Sequence, residues 1–104
     1  MNDPQLWKQW KVTESLLVSA KRRLLEAAPH LNQEDATALA QYENFIQHNE
    51  FGLALDTLAE VGSEYPCRGS FWRDLERAAE AMQLTERATE FRQNFISTLR
   101  GNGG

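Results

Sequence analysis

The sequence predicts an all-α fold, a compact bundle of about five helices. Three observations lead there. Apolar residues recur at helical spacing in one stretch after another, and no stretch alternates convincingly with the period of two that a half-buried strand requires. Pro, Gly, Asn and His punctuate the chain into segments of helix length. Short connections between such segments favour antiparallel neighbours in a bundle.

The first helix is expected over residues 4–28. Asp3 reads as its N-cap and Pro4 as its first helical residue, where the missing N–H does no harm. Trp10, Leu17 and Leu24 recur every seven residues with Leu6 and Ala20 beside them, and this is the stripe expected to be buried. Lys21, Arg22 and Arg23 lie toward the C-terminal half, where positive charge meets the helix dipole favourably. Pro29 ends the helix, because it disfavours helical geometry at Ala28.

Asn32 reads as the cap of a second helix over 33–47, with Glu34 and Asp35 in its first turn and Ala36, Leu39, Tyr42 and Ile46 as its apolar line. His48–Asn49 makes a short break, and Asn49 is placed to cap the central helix, 50–62. There Phe51, Leu55 and Leu58 form the inward stripe, while Asp56 and Glu60 sit one turn apart on the other side. Like charges at that spacing oppose helix formation by roughly 0.2–0.5 kcal/mol. That face is therefore either simply solvated or kept for a partner.

Gly62 reads as a stop, and Ser63 to Gly69 as the one real loop. Ser70 is expected to cap a fourth helix over 71–82, and Thr85 a fifth over 86–99 with Ala88, Phe91, Phe95 and Leu99 at helical spacing. Residues 101–104 read as a disordered tail. Phe71 and Trp72 are adjacent: either both enter a wide apolar face, or one turns outward and, like Trp7, anchors an interface.

At 104 residues the chain is one domain, 1–104, of ordinary composition, 41% hydrophobic and 25% charged. Its single cysteine, Cys67, allows no internal disulfide and fits a reducing compartment. No apolar run approaches the roughly 20 residues that span a bilayer. The first residues lack the basic-then-apolar pattern of a signal peptide. A cytoplasmic protein with no membrane association is expected.

Charge is distributed unevenly. Between Leu24 and Cys67 there are eight acids and no Lys or Arg, a segment near −8, whereas the two flanks carry all 11 basic residues. Such a segment attracts cationic surfaces and repels nucleic acid. Acids in short helices also simply decorate a solvated surface.

The chemistry-bearing residues point away from catalysis. His30, His48 and Cys67 are far apart, without the close pairs that make nucleophilic or zinc spacing persuasive. Asp56 and Glu60 lack the loop oxygens that complete a Mg²⁺ or Ca²⁺ site, and Gly52 stands alone, so no phosphate loop exists. No enzyme, metal or cofactor is expected. The stretch Ala78 to Thr89 has the rhythm of a helix-turn-helix, which makes a DNA-binding regulator using residues 71–99 one alternative, with Arg87, Arg92 and Arg100 toward DNA. Against it stand Glu86 and Glu90 on the same helix, and affinity for nucleic acid depends mostly on neutralising phosphates. A second alternative is a helical adaptor homodimer pairing through the Trp-bearing first helix.

The run from about Tyr42 to Phe95, about half the chain, resembles the Maf-type immunity family, small helical immunity proteins of bacterial polymorphic toxin systems. The similarity lies in a helix ending in a polar pair and then "FGLALDTLAEVG", with Glu50, Gly52, Leu53, Ala54, Leu55, Asp56 and Leu58 matching. A loop and a further helix, "FWRDLERAAEAMQL", follow. The basic first helix lies outside the resemblance. What the resemblance implies is a protein that binds and neutralises a cognate secreted toxin in contact-dependent inhibition, commonly a nuclease with a basic substrate surface. On that expectation the partner-facing residues are Asp56 and Glu60 first, then Glu50, Glu64, Glu43, Glu34 and Asp35, with Tyr42 or Tyr65 as an apolar anchor. The partner is a toxin domain with a basic surface, and neither nucleic acid nor membrane.

Overall fold

Five α-helices account for the regular structure: α1 (Pro4–Ala27), α2 (Gln33–Gln47), α3 (Phe51–Gly62), α4 (Gly69–Ala81) and α5 (Thr85–Gly101). The computed structural model describes residues 4–101, with side chains from residue 8 to residue 100, and no strand occurs among them. Asp3, the side chains of Leu6 and Trp7, and residues 102–104 of the expected tail lie outside the described part.

The helices start and stop for local reasons. The Asn32 side chain accepts a hydrogen bond from the Asp35 N–H at 2.7 Å, satisfying a donor that the first turn of α2 leaves unpaired. Asn49 does not cap α3, contrary to expectation. It ends α2: with φ 58° it takes the left-handed conformation, its N–H donates to the Ile46 carbonyl at 3.1 Å, and the Glu50 N–H donates to the Phe45 carbonyl at 2.8 Å. This is a Schellman closure. The same device joins α4 to α5, where Gln83 has φ 61° and Leu84 N–H reaches the Ala79 carbonyl at 2.8 Å.

Two further expected caps are displaced. α4 begins at Gly69, with Arg68 in the N-cap position and no side chain capping it. Ser70 lies inside the first turn, where its hydroxyl accepts a hydrogen bond from Arg23 Nη1 at 3.1 Å. Thr85 is already helical and Leu84 precedes it, its carbonyl accepting from the Ala88 N–H at 2.9 Å.

α4 is the central element. It packs against α1 on one side and α5 on the other, α3 leans on α1 and α4, and α2 covers α3. Leu17, Ala20 and Leu24 of α1 meet Ala54, Leu55 and Leu58 of α3 and Phe71, Leu75, Ala78 and Ala79 of α4 in one core. Phe71 and Trp72 are both buried, in edge-to-face contact with ring centroids 4.9 Å apart, and Trp72 leans on Phe91 at 6.1 Å. The wide apolar face is therefore the correct alternative for this pair, and Trp72 is no interface anchor. Gly62 is not a left-handed stop, since no glycine among the described residues has positive φ. It is glycine because the Phe71 ring lies against its backbone where a side chain would stand.

The packing also corrects three apolar assignments. Trp10 is 46% exposed, because it lies by Met82 and Gln83, beyond the last turn of α4. Leu99 is 62% exposed, at the end of α5 that overruns the start of α4, where Gly69 faces Phe95 and Thr98. Ala36 faces solvent, and the inward line of α2 is carried by Leu39 and Tyr42.

Candidate partner-binding surface

The acidic middle of the chain does not form one uniformly anionic face. Glu43 of α2 is held by Lys21 of α1, and Asp56 of α3 by Arg87 of α5. Both cations come from the basic flanks, so folding neutralises two of the expected partner-facing acids. Asp35 is 5% exposed and accepts a hydrogen bond from the Tyr65 hydroxyl at 2.6 Å, which ties the loop after α3 to the start of α2. Tyr42 is 1% exposed, beneath the Lys21 ammonium 5.5 Å from its ring centre. Burial, and then the Glu43 and Glu14 carboxylates, push its phenol above the ordinary value. Neither Tyr42 nor Asp35 is open to a partner, and Tyr65 is only half-buried with its hydroxyl committed.

What remains converges. Glu34 adjoins buried Asp35 at the start of α2, and Glu60 and Glu64 stand one turn apart where α3 runs into the loop that Tyr65 ties to Asp35; all three are exposed. Their proximity is registered by Glu64, whose pKa is raised by hydrogen bonding to Asp35 first. Slight desolvation and the fields of Asp35, Glu34 and Glu60 add to it. Hydrogen bonding to Asp35 raises the Tyr65 phenol in the same way. Glu50 stands apart, exposed at the other end of α3.

Glu60 also borders a groove of about 610 Å³ between α3 and α5. Asp56, Ala59 and Glu60 line it from α3, and Glu86, Arg87, Glu90 and Phe91 from α5. Glu86 and Glu90 are acids that sequence reasoning left out of the partner surface, because their flank is nearly balanced in charge. The available signal was their spacing: one turn apart on α5, as Asp56 and Glu60 are on α3. Arg87 crosses the groove to Asp56, with Nε and Nη2 at 2.5 and 2.8 Å from the two carboxylate oxygens. That hydrogen bond, with Asp56, Glu90 and Glu86 close by, raises its pKa further.

The remaining candidates offer little chemistry. Cys67 is buried, and desolvation pushes its thiol up to about 11, the opposite of an activated nucleophile. Among the described residues no group of His, Cys, Asp and Glu is arranged to hold a metal, and no helix is long and apolar enough to cross a membrane. Of the arginines considered for DNA, Arg87 is occupied by Asp56, and Arg92 shares a hollow between α4 and α5 with Glu76 and Glu80. Comparison with protein families, with curated proteins and with solved structures finds no match to this chain.

Proposed function

We propose that this chain is an immunity-type inhibitor, a cytoplasmic protein that binds and neutralises a cognate secreted bacterial toxin, a nuclease, through the acidic surface at the end of α3. The observation that carries the reading is the convergence of Glu34, Glu60 and Glu64 around Asp35, continued by Glu86 and Glu90 across the adjoining groove. Folding pairs some of the acids away, yet brings these from four different parts of the chain to one region. A concentrated anionic surface imitates a phosphate backbone and attracts the basic substrate path of a nuclease, mainly by speeding encounter.

The test is growth of cells producing the toxin domain encoded beside this chain. Protection is expected with the native protein and is expected to be lost with Glu60→Lys combined with Glu64→Lys. In rapid mixing, the association rate should fall steeply as salt rises. Absence of protection by the native protein ends the reading, and a salt-independent association ends its electrostatic basis.

A further inference from the structure

The groove between α3 and α5 has the makings of a seat rather than a diffuse patch. Its floor includes Ala59 and the buried ring of Phe91, which rests on Trp72 beneath it. Its walls carry four carboxylates against one guanidinium. The acids come in two rows, Asp56 with Glu60 and Glu86 with Glu90, each pair one helical turn apart. Successive turns of an α-helix rise about 5.4 Å, so cations one turn apart on a ligand helix meet such rows in register. The chain itself supplies an example of the recognition: Arg87 lies in the groove with its fork closed on Asp56. Among the described residues, Glu60, Glu86 and Glu90 are in no ion pair with a protein cation.

Building on the reading of the chain as an inhibitor of a basic partner, we infer that this groove seats a basic helix of that partner. The aliphatic stems of its Arg or Lys residues lie over Ala59 and Phe91, and their charged ends reach Glu60 and Glu90. Long cationic side chains suit such a site because the stem gains apolar contact while the head stays wet. Asp56 is excluded from this role, since Arg87 already satisfies both of its oxygens.

The probe is a fluorescein-labelled, alanine-based helical peptide with arginines one turn apart, followed by anisotropy at low salt. Glu60→Gln and Glu90→Gln are each expected to weaken its binding by about two- to fivefold, the range of partly exposed charge pairs. Glu50→Gln removes the same charge from the far end of α3 and is expected to leave binding unchanged. An equal loss with Glu50→Gln, or no binding of the peptide to the native protein, overturns the inference. These surface changes leave the core intact, which thermal unfolding of each variant verifies. A peptide that binds with the expected dependence, beside a toxin domain that fails to bind, supports the groove and ends the inhibitor reading; a toxin domain that binds without regard to Glu60 and Glu90 does the reverse.

Discussion

The Asp56 carboxylate closes both of its oxygens on the Arg87 guanidinium, joining the middle of α3 to the first turn of α5 across 31 residues of sequence. The acid ranked first for a partner is thus turned to an internal use, and the helix-turn-helix arginine nearest the turn is neutralised with it. Both side chains are about two-fifths exposed, 38% for Asp56 and 43% for Arg87. Solvent therefore screens the pair, and its bidentate geometry places it toward the upper part of the usual range for exposed pairs. Asp56→Asn and Arg87→Gln are each expected to lower stability by about 0.5–1 kcal/mol. In urea unfolding the double variant should lose less than the sum of the two single ones, and the coupling should shrink at high salt. Strict additivity would show that the pair contributes nothing to folding.

Gly62 and Gly52 lie on one helix and are expected to respond to alanine in opposite directions. At Gly62 a methyl would overlap the edge of the Phe71 ring, which is fully buried and has no room to withdraw. Overpacking of this kind destabilises by about 1–3 kcal/mol. At Gly52 the added carbon meets nothing within 4 Å, so Gly52→Ala should stabilise by roughly 0.5 kcal/mol through helix propensity alone. Thermal unfolding of the two variants checks the pair, and a Gly62→Ala protein as stable as the native one would contradict the packing described at α3 and α4.

Gln83 occupies a conformation that an L side chain resists. At φ 61° it closes α4, as Asn49 closes α2 at φ 58°. Asparagine tolerates this region, whereas glutamine bears most of a left-handed penalty of about 1 kcal/mol. Gln83→Gly is accordingly expected to raise stability by roughly 0.5 kcal/mol, the unfolded chain's extra freedom offsetting the rest. The measurement is the urea midpoint at unchanged slope. A midpoint that falls would mean that the Gln83 side chain makes a contribution beyond its backbone.

Gln83 also marks the limit of what was legible in the sequence. The five helices and their order could be read because Pro29, Asn32, Gly62 and Pro66 interrupt apolar periods that local chemistry enforces. The turn before α5 lacks the glycine that usually announces it, and the expected caps Asn49 and Ser70 turned out to serve other ends. Asn49 terminates the helix before it, and Ser70 receives Arg23, whose Nε also donates to Asp74 at 3.0 Å. Tertiary pairing is invisible to composition. A count of eight acids between Leu24 and Cys67 could not reveal that Lys21 and Arg87 return from the flanks to hold two of them. Nor could it reveal that Glu86 and Glu90, in a nearly neutral segment, come to face Glu60.

Glu64 is expected to couple folding to pH and, on the proposed function, both to binding. Hydrogen bonding to Asp35 in its protonated form, slight desolvation and the fields of Asp35, Glu34 and Glu60 raise its folded pKa above the ordinary glutamate value. A carboxyl with a raised folded pKa binds its proton more tightly in the native than in the unfolded state. The stability it contributes is therefore complete below its unfolded pKa and is lost as pH rises through the folded one. Urea unfolding across the acidic range should show that decline, and Glu64→Gln should flatten it while raising stability near neutrality. A cation seated beside Glu64 has the opposite effect on the proton, favouring the charged carboxylate. Binding of a basic partner should thus release a proton, measurable as a dependence of the calorimetric heat on the ionisation enthalpy of the buffer. Glu64→Gln should abolish that dependence and weaken the complex even as it stabilises the free protein. A variant that is more stable and binds equally well would remove Glu64 from the proposed binding surface.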